Sequence, residues 1–204
     1  MVYRVAERRV TNLDSYVEGD NRMPAEDRLD AVLTTYQKSF IGKVYSDEND
    51  DHDLLMDAFG IPPALKRENR QYWGRELGFC RQLLVIEACR GHDEYKPAFK
   101  IGGDEPCDLI VGSYAIDTKY RIGSGDSGTL KKFKSYGPLL REHGYEPVFL
   151  ILREDNLPAA IQACRIGTWK VLTGKQSFDF ISELSGFDME TYLRDRAAKF
   201  QVER

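Results

Sequence analysis

Two aspartates and a lysine have the spacing of a charged cluster on a β-hairpin. Gly112 and Ser113 have the composition of a two-residue turn, with apolar residues alternating on both sides of it. This turn pairs Asp108 with Asp117 and places Lys119 on the same face, because side chains alternate along a strand. Like charges opposite each other destabilise a strand pair. The two carboxylates therefore indicate either a bound divalent cation or a solvated surface.

The residues between these charged positions are apolar and predict a core under the hairpin: Leu109, Val111, Tyr114 and Ile116. The strands of the predicted sheet lie at 95–101, 107–111, 114–121, 147–152 and 168–172. The fourth of these is apolar without interruption, which is typical of a strand buried on both faces. A helix at 127–136, restarted at Pro138, forms the predicted crossover into it.

Helical periodicity predicts the remaining elements, at 27–40, 68–90, 157–164, 176–184 and 189–200. The expected fold class is α/β, with a mixed central β-sheet flanked by helices and a mainly helical N-terminal extension. We expect a single domain over 1–204, divided into the extension (1–70), the core (71–172) and the C-terminal helices (173–204).

The composition predicts a soluble, cytoplasmic protein. The N-terminus has no apolar leader, and the longest apolar run, Val148–Leu152, is far too short to span a membrane. The four cysteines lack metal-binding spacing, and the three histidines lack partners for a triad or a metal cluster. We therefore assign the cysteines no chemical role and expect the two tryptophans, Trp73 and Trp169, to be packing residues.

Charge is distributed unevenly around the net value of -4. The acidic run Asp47–Asp53 predicts a solvated loop, and basic residues cluster between Lys119 and Arg141. A Gly-rich loop, Gly123–Gly128, lies within this basic stretch, but it lacks the lysine of a nucleotide-binding P-loop. We therefore expect no nucleotide cofactor.

The order of the elements, with Asp108 on the second strand and the D-x-K sequence of Asp117 and Lys119 on the third, resembles the PD-(D/E)xK nuclease superfamily, which includes most type II restriction endonucleases. The resemblance covers about Glu76 to Leu152, and Pro106 departs from it by standing two residues before Asp108 rather than next to it. It implies a restriction-endonuclease-like core, and Mg²⁺ as a cofactor that Mn²⁺ can replace. Asp108, Asp117 and the Thr118 or Ile116 carbonyl are the implied ligands, with Lys119 positioning the attacking water.

The same resemblance implies a glutamate from the preceding helix, for which Glu76 and Glu87 are candidates. We choose Glu76 because it is nearer the start of the helix, while the reading of either one as a surface residue in an i,i+4 pair stays open. The candidate contacts to DNA phosphates or bases are Arg121, Ser124, Asp126, Ser127, Lys131, Lys132 and Lys134. The alternative is a flexible connection followed by a solvated lysine face.

The expected function is therefore that of a prokaryotic type II restriction endonuclease, which acts as a homodimer on double-stranded DNA. The N-terminal region or the apolar stripe containing Phe178, Ile181 and Leu184 would supply the dimer surface. The rivals are a repair or junction-resolving nuclease on the same scaffold and a non-catalytic DNA-binding or structural protein. A glycosidase is disfavoured, because the paired carboxylates leave no room for a sugar.

Overall fold

The computed structural model describes residues 47–202, together with four positions of an earlier helix, 30, 33, 34 and 37. Those four positions agree with the helix predicted at 27–40, the rest of which lies outside the described residues. Contacts divide the chain into two units, Met1–Lys43 and Val44–Arg204. The helices between residues 47 and 70 belong to the second unit.

The second unit is built on a five-stranded mixed sheet with the strand order β1-β2-β3-β4-β5. The strands are β1 (Tyr95–Pro97), β2 (Leu109–Val111), β3 (Tyr114–Lys119), β4 (Glu146–Ile151) and β5 (Lys170–Thr173). β2 is antiparallel to both β1 and β3, whereas β4 is parallel to both β3 and β5. This architecture confirms the predicted fold class, although β1 ends before the predicted residue 101.

The hairpin between β2 and β3 has the predicted register. Val111 pairs with Tyr114 and Leu109 with Ile116. Gly112 has a φ of 58°, a left-handed conformation that glycine adopts without the steric cost of a side chain. The turn chemistry thus fixes which residues of β3 face each side of the sheet.

Within residues 47–202, seven helices surround this sheet: α1 (Leu54–Phe59), α2 (Pro63–Glu68), α3 (Arg70–Cys89), α4 (Ser127–Glu142), α5 (Pro158–Ile166), α6 (Lys175–Ser185) and α7 (Met189–Arg194). α4 connects the parallel strands β3 and β4 as the predicted crossover, and it continues through Pro138 as one helix. α1 packs against α7, which attaches the start of the described segment to its end. In the described part of the chain, no helix combines the length and apolar composition needed to span a membrane.

The sheet separates two hydrophobic cores. Val148 and Leu150 of β4 pack in the core that contains α3, α6 and α7, while Phe149 and Ile151 pack in the core that contains α4 and α5. β4 is buried on both faces, as its apolar run predicts. The second core also takes Ile110 and Ala115, so the hairpin face that carries Asp117 is apolar over most of its length.

Candidate active site

Asp117 and Lys119 lie two residues apart on β3 and share one face of the sheet. The Lys119 ammonium contacts the Asp117 carboxylate at 2.5 Å and the Thr118 carbonyl at 3.0 Å. Both side chains line a cleft of about 440 Å³ between the sheet and α4. The predicted pair is therefore placed where a substrate can reach it.

Burial shifts the charge balance of this pair. It raises the pKa of the Asp117 carboxyl to about 6, with the Lys119 ammonium opposing this shift and the Asp108 carboxylate adding to it. Burial alone would lower the pKa of Lys119, but the two neighbouring carboxylates outweigh it and the net pKa is raised. Lys119 is therefore a cation at neutral pH, and the raised pKa of Asp117 reflects burial that this ammonium only partly offsets.

Asp108 is placed by contacts that the ladder pattern did not predict. The backbone bends at this residue, just before β2, and its N–H donates to the Ile116 carbonyl at 2.8 Å. Its carboxylate accepts from the Thr118 N–H and from the Thr118 hydroxyl, both at 2.7 Å. Thr118 faces the side of the sheet opposite Asp117. The Asp108 carboxylate thus binds Thr118 and Gln82 instead of forming a simple cross-strand pair with Asp117.

The helix residue that contacts Asp108 is Gln82, whose side-chain amide donates to the carboxylate at 2.7 Å. Glu76 and Glu87 lie about 120° and 140° around α3 from Gln82. Glu76 pairs with Arg75 and Glu87 with Arg90, with side chains 45% and 61% exposed. The structure therefore brings Gln82 to this site in the place expected for Glu76 or Glu87. Gln82 was not identified from the sequence, because only glutamates of this helix were considered.

The carboxylates of this site are of the chemical type that binds magnesium ions. Mg²⁺ usually keeps several waters and binds one or two carboxylates, which Asp108 and Asp117 supply. The raised pKa of Asp117 shows that a further positive charge would be favourable there. Within 47–202, no three His, Cys, Asp or Glu side chains are grouped so as to hold a metal by themselves. The Ile116 carbonyl is already bonded to Asp108, and the Thr118 carbonyl to Lys119.

The predicted DNA contacts separate into exposed and internal residues. Ser124, Ser127, Lys131, Lys132 and Lys134 are exposed and accessible to a ligand. Asp126 is also exposed, and its carboxylate caps α4 by accepting from the Thr129 N–H at 2.9 Å.

Arg121 differs from these residues because it is bound inside the protein. Its guanidinium donates to the Asp155 carboxylate at 3.1 Å, and its side chain is 11% exposed. A Cβ on Gly123 would lie 2.2 Å from the Arg121 Nη1, so a larger residue there would force this guanidinium to shift. The expected phosphate contact by Arg121 is therefore replaced by an internal one.

The acidic run Asp47–Asp53, expected to be a solvated loop, contributes to a buried polar network beside the end of β3. We call this the end network; it comprises Glu48, Asp53, Lys66, Tyr120, Arg153 and Asp155. The Arg153 guanidinium contacts Asp53 at 3.1 Å and Asp155 at 2.8 Å, and the Tyr120 hydroxyl donates to Asp53. Sequence reasoning missed this network because its charges come from segments far apart in the chain.

Four further residues with sequence-based expectations are buried in the structure. Phe178 and Ile181 are buried in the core of their own chain, so they cannot supply the predicted dimer surface. Trp169 is a packing residue as expected, because its indole donates to the Phe133 carbonyl and meets Phe149 edge-on. Burial raises the pKa of the Cys107 thiol to about 12, so this thiol is protonated at neutral pH.

Comparisons with known proteins add no relative to this picture. No protein-family model matches the chain, and neither the curated proteins nor the solved structures include a significant match. We call the three residues Asp108, Asp117 and Lys119 the cleft cluster.

Proposed function

We propose that this chain is a Mg²⁺-dependent nuclease that hydrolyses phosphodiester bonds of double-stranded DNA at the cleft cluster. The observation that carries the proposal is that Asp117 and Lys119 emerge together from β3 into a cleft, with the Asp108 carboxylate near enough to raise the pKa of Asp117. Two acidic oxygen donors beside a lysine suit a phosphate ester, whose negative charge must be stabilised during attack by water.

Each residue of the cleft cluster has a separate role in this proposal. Asp108 and Asp117 would hold the ion, which supplies Lewis-acid stabilisation of charge at the phosphate when it is bound. Lys119 is held as a cation by its carboxylate neighbours, so it would bind a phosphoryl oxygen and orient the attacking water rather than remove a proton. Thr118 and Gln82 fix the orientation of Asp108 through their hydrogen bonds.

The proposed biological role is that of a type II restriction endonuclease in the prokaryotic cytoplasm. Residues 47–202 contain a single cleft cluster, so cutting both strands of a short symmetric site most simply requires a homodimer with two-fold symmetry. A repair nuclease would use the same cluster on nicked, mismatched or branched DNA. A non-catalytic role is favoured by one observation, which is that Asp117 and Lys119 already neutralise each other at 2.5 Å.

The test is digestion of plasmid, mismatched and branched DNA with Mg²⁺ or Mn²⁺, using the wild type and the variants Asp108→Asn, Asp117→Asn and Lys119→Ala. We expect discrete double-strand breaks from the wild type and a loss of at least about 100-fold in rate for each variant. Asp179→Asn, which removes one exposed carboxylate from α6, is the matched control and should cleave normally. Cleavage restricted to branched or mismatched DNA would support the repair role, and no cleavage of any substrate would support the non-catalytic one.

A further inference from the structure

A short hairpin, residues 100–105, lies along the cleft that contains Asp117 and Lys119. Ile101 and Asp104 exchange backbone hydrogen bonds of 3.0 and 3.2 Å, with Gly102 and Gly103 between them. Gly102 has a φ of 64°, as a tight turn of this kind requires. We call this hairpin the strap. Four of its residues line the cleft: Lys100, Gly103, Asp104 and Glu105.

The strap is fixed at its ends and exposed in the middle. On one side, the Phe99 ring packs against the rings of Tyr145 and His143, with centroid distances of 5.8 and 6.2 Å. On the other side, Pro106 and Cys107 are buried. The residues 102–105 between them are exposed. Such an arrangement can move at the centre while its attachment to the sheet is retained.

The exposed middle of the strap is joined to α4 by charge. The Lys132 ammonium contacts the Asp104 carboxylate at 3.2 Å, and the two side chains are 59% and 53% exposed. Hydrogen bonds from Tyr136 and from Lys132 lower the pKa of Asp104. Lys132, Tyr136 and the strap line the same cleft as Asp117 and Lys119. An exposed pair of this kind contributes little stability, so another anion can replace the Asp104 carboxylate at small cost.

We propose that Lys132 and Tyr136 form a phosphate-binding subsite at the mouth of the cleft, and that Asp104 of the strap occupies this subsite when DNA is absent. A DNA phosphate displaces the Asp104 carboxylate, because both are oxyanions that an ammonium and a phenol hydroxyl can bind. The strap then moves away from α4 and opens the route to Asp117 and Lys119. This inference rests on the proposed function, since it takes DNA as the ligand.

The charges of the strap explain why its displacement would accompany binding. Asp104 and Glu105 put two carboxylates on the rim of a cleft that must accept a polyanion. With the strap in place, these carboxylates repel DNA and also neutralise Lys132. With the strap displaced, Lys132 regains its attraction for phosphate. The pair therefore acts as an internal competitor that raises the DNA concentration needed to fill the cleft.

The experiment compares Asp104→Asn with Asp179→Asn in the full chain. Both variants remove one carboxylate from an exposed lysine–aspartate pair, but Asp179 pairs with Lys175 on α6. Hydrogen exchange of the backbone amides at positions 101 and 104, measured in the absence of DNA, reports opening of the strap. Fluorescence anisotropy with a labelled duplex, in the absence of divalent metal, reports binding. Asp104→Asn should exchange faster and bind DNA about 1.5- to 5-fold more tightly, while Asp179→Asn should match the wild type.

A second variant tests whether the effect passes through Lys132. In a Lys132→Ala background, Asp104→Asn should increase affinity less than it does in the wild type, because the subsite for which the carboxylate and the phosphate compete is gone and only the direct repulsion between the carboxylate and DNA is relieved. An equal gain in both backgrounds, or equal behaviour of Asp104→Asn and Asp179→Asn, would overturn the inference while leaving the proposed cleavage intact. Faster strap exchange without duplex binding by any variant would refute DNA as the ligand of both the subsite and the cleft.

Discussion

Two groups of charged residues meet at the end of β3 and differ in their access to solvent. Lys119 points into the cleft with 40% of its side chain exposed, whereas the next residue, Tyr120, is buried on the opposite face and belongs to the end network. Arg153 of that network is 4% exposed and contacts two carboxylates at about hydrogen-bonding distance. The cleft cluster thus has room for a ligand, while the charges of the end network are satisfied by one another.

This difference shows that charged residue types alone do not identify a site. The end network ties the loop 47–53 to the ends of β3 and β4, which makes it a structural element. Burial perturbs pKa values in both groups: it raises the pKa of the Asp117 carboxyl in the cleft and lowers that of the Lys66 ammonium in the end network. Perturbation of a pKa in a cleft is the more informative signal of function.

The largest expected effect is on the end network. Arg153→Met removes the central cation and leaves Asp53, Asp155 and Glu48 with too little positive charge in a buried place. We expect a loss of about 3–5 kcal/mol in the free energy of unfolding, measured with urea. Lys175→Met is the control; it breaks an exposed pair, and its effect should stay within about 1 kcal/mol. A small effect of Arg153→Met would remove the distinction between the two groups.

Asp117→Asn should increase the free energy of unfolding at neutral pH in a buffer that contains a chelator. The folded pKa of Asp117, about 6, lies above its ordinary value of 3.8, so stability from this group is present below pH 3.8 and is lost as pH rises through 6. As the pH rises from 3.8 through 6, the free energy of unfolding of the wild type should therefore fall by about 1–3 kcal/mol relative to that of the variant. Thermal melts from pH 4 to 7 measure it, and Mg²⁺ should restore the wild type selectively. Parallel pH profiles would contradict the assigned burial effect.

Gln82→Ala should reduce cleavage without unfolding the protein. Removal of the amide releases the Asp108 carboxylate from one of its three hydrogen bonds, and loss of such an orienting contact typically lowers metal affinity or activity about 10- to 100-fold. Glu76→Gln, on an exposed face of the same helix, is the control and should retain activity. If Glu76→Gln were the damaging change, the glutamate expected from the sequence would be the functional one.

The smallest effect should come from the exposed lysines of α4. The double variant Lys131→Ala, Lys134→Ala should have a less steep dependence of log affinity on log salt. The magnitude of the negative slope should fall by about 1.8, because each phosphate contact on duplex DNA contributes about 0.9. Anisotropy titrations at several salt concentrations measure this slope. A slope equal to that of the wild type would assign these two lysines to ordinary solvated surface.

Local rules predicted the sheet and the centre of the site. The Gly112–Ser113 turn fixed the register of β2 and β3, and the alternation that follows placed Asp117 and Lys119 on one face. The apolar run of β4 predicted burial on both faces. These features depend on neighbours in the sequence, which is why a single sequence contains them.

Contacts between distant segments could not be predicted in this way. Gln82 reaches Asp108 across 26 positions, and Arg153 reaches Asp53 across 100. Arg121 has the composition of a phosphate contact, but its partner, Asp155, comes from the loop after β4. Periodicity shows which face a residue occupies, whereas the identity of its partner depends on the packing of elements that are far apart in sequence.

Binding of Mn²⁺ in the absence of DNA tests the central claim most directly, because it asks whether the cleft cluster is a cation site independently of any substrate. The free ion can be counted by electron paramagnetic resonance in the presence of the wild type, Asp117→Asn, Asp108→Asn and the control Asp179→Asn. We predict saturable binding by the wild type and the control, and a loss of at least about 10-fold in affinity for the other two variants. Equal Mn²⁺ binding by the wild type and Asp117→Asn would contradict the account.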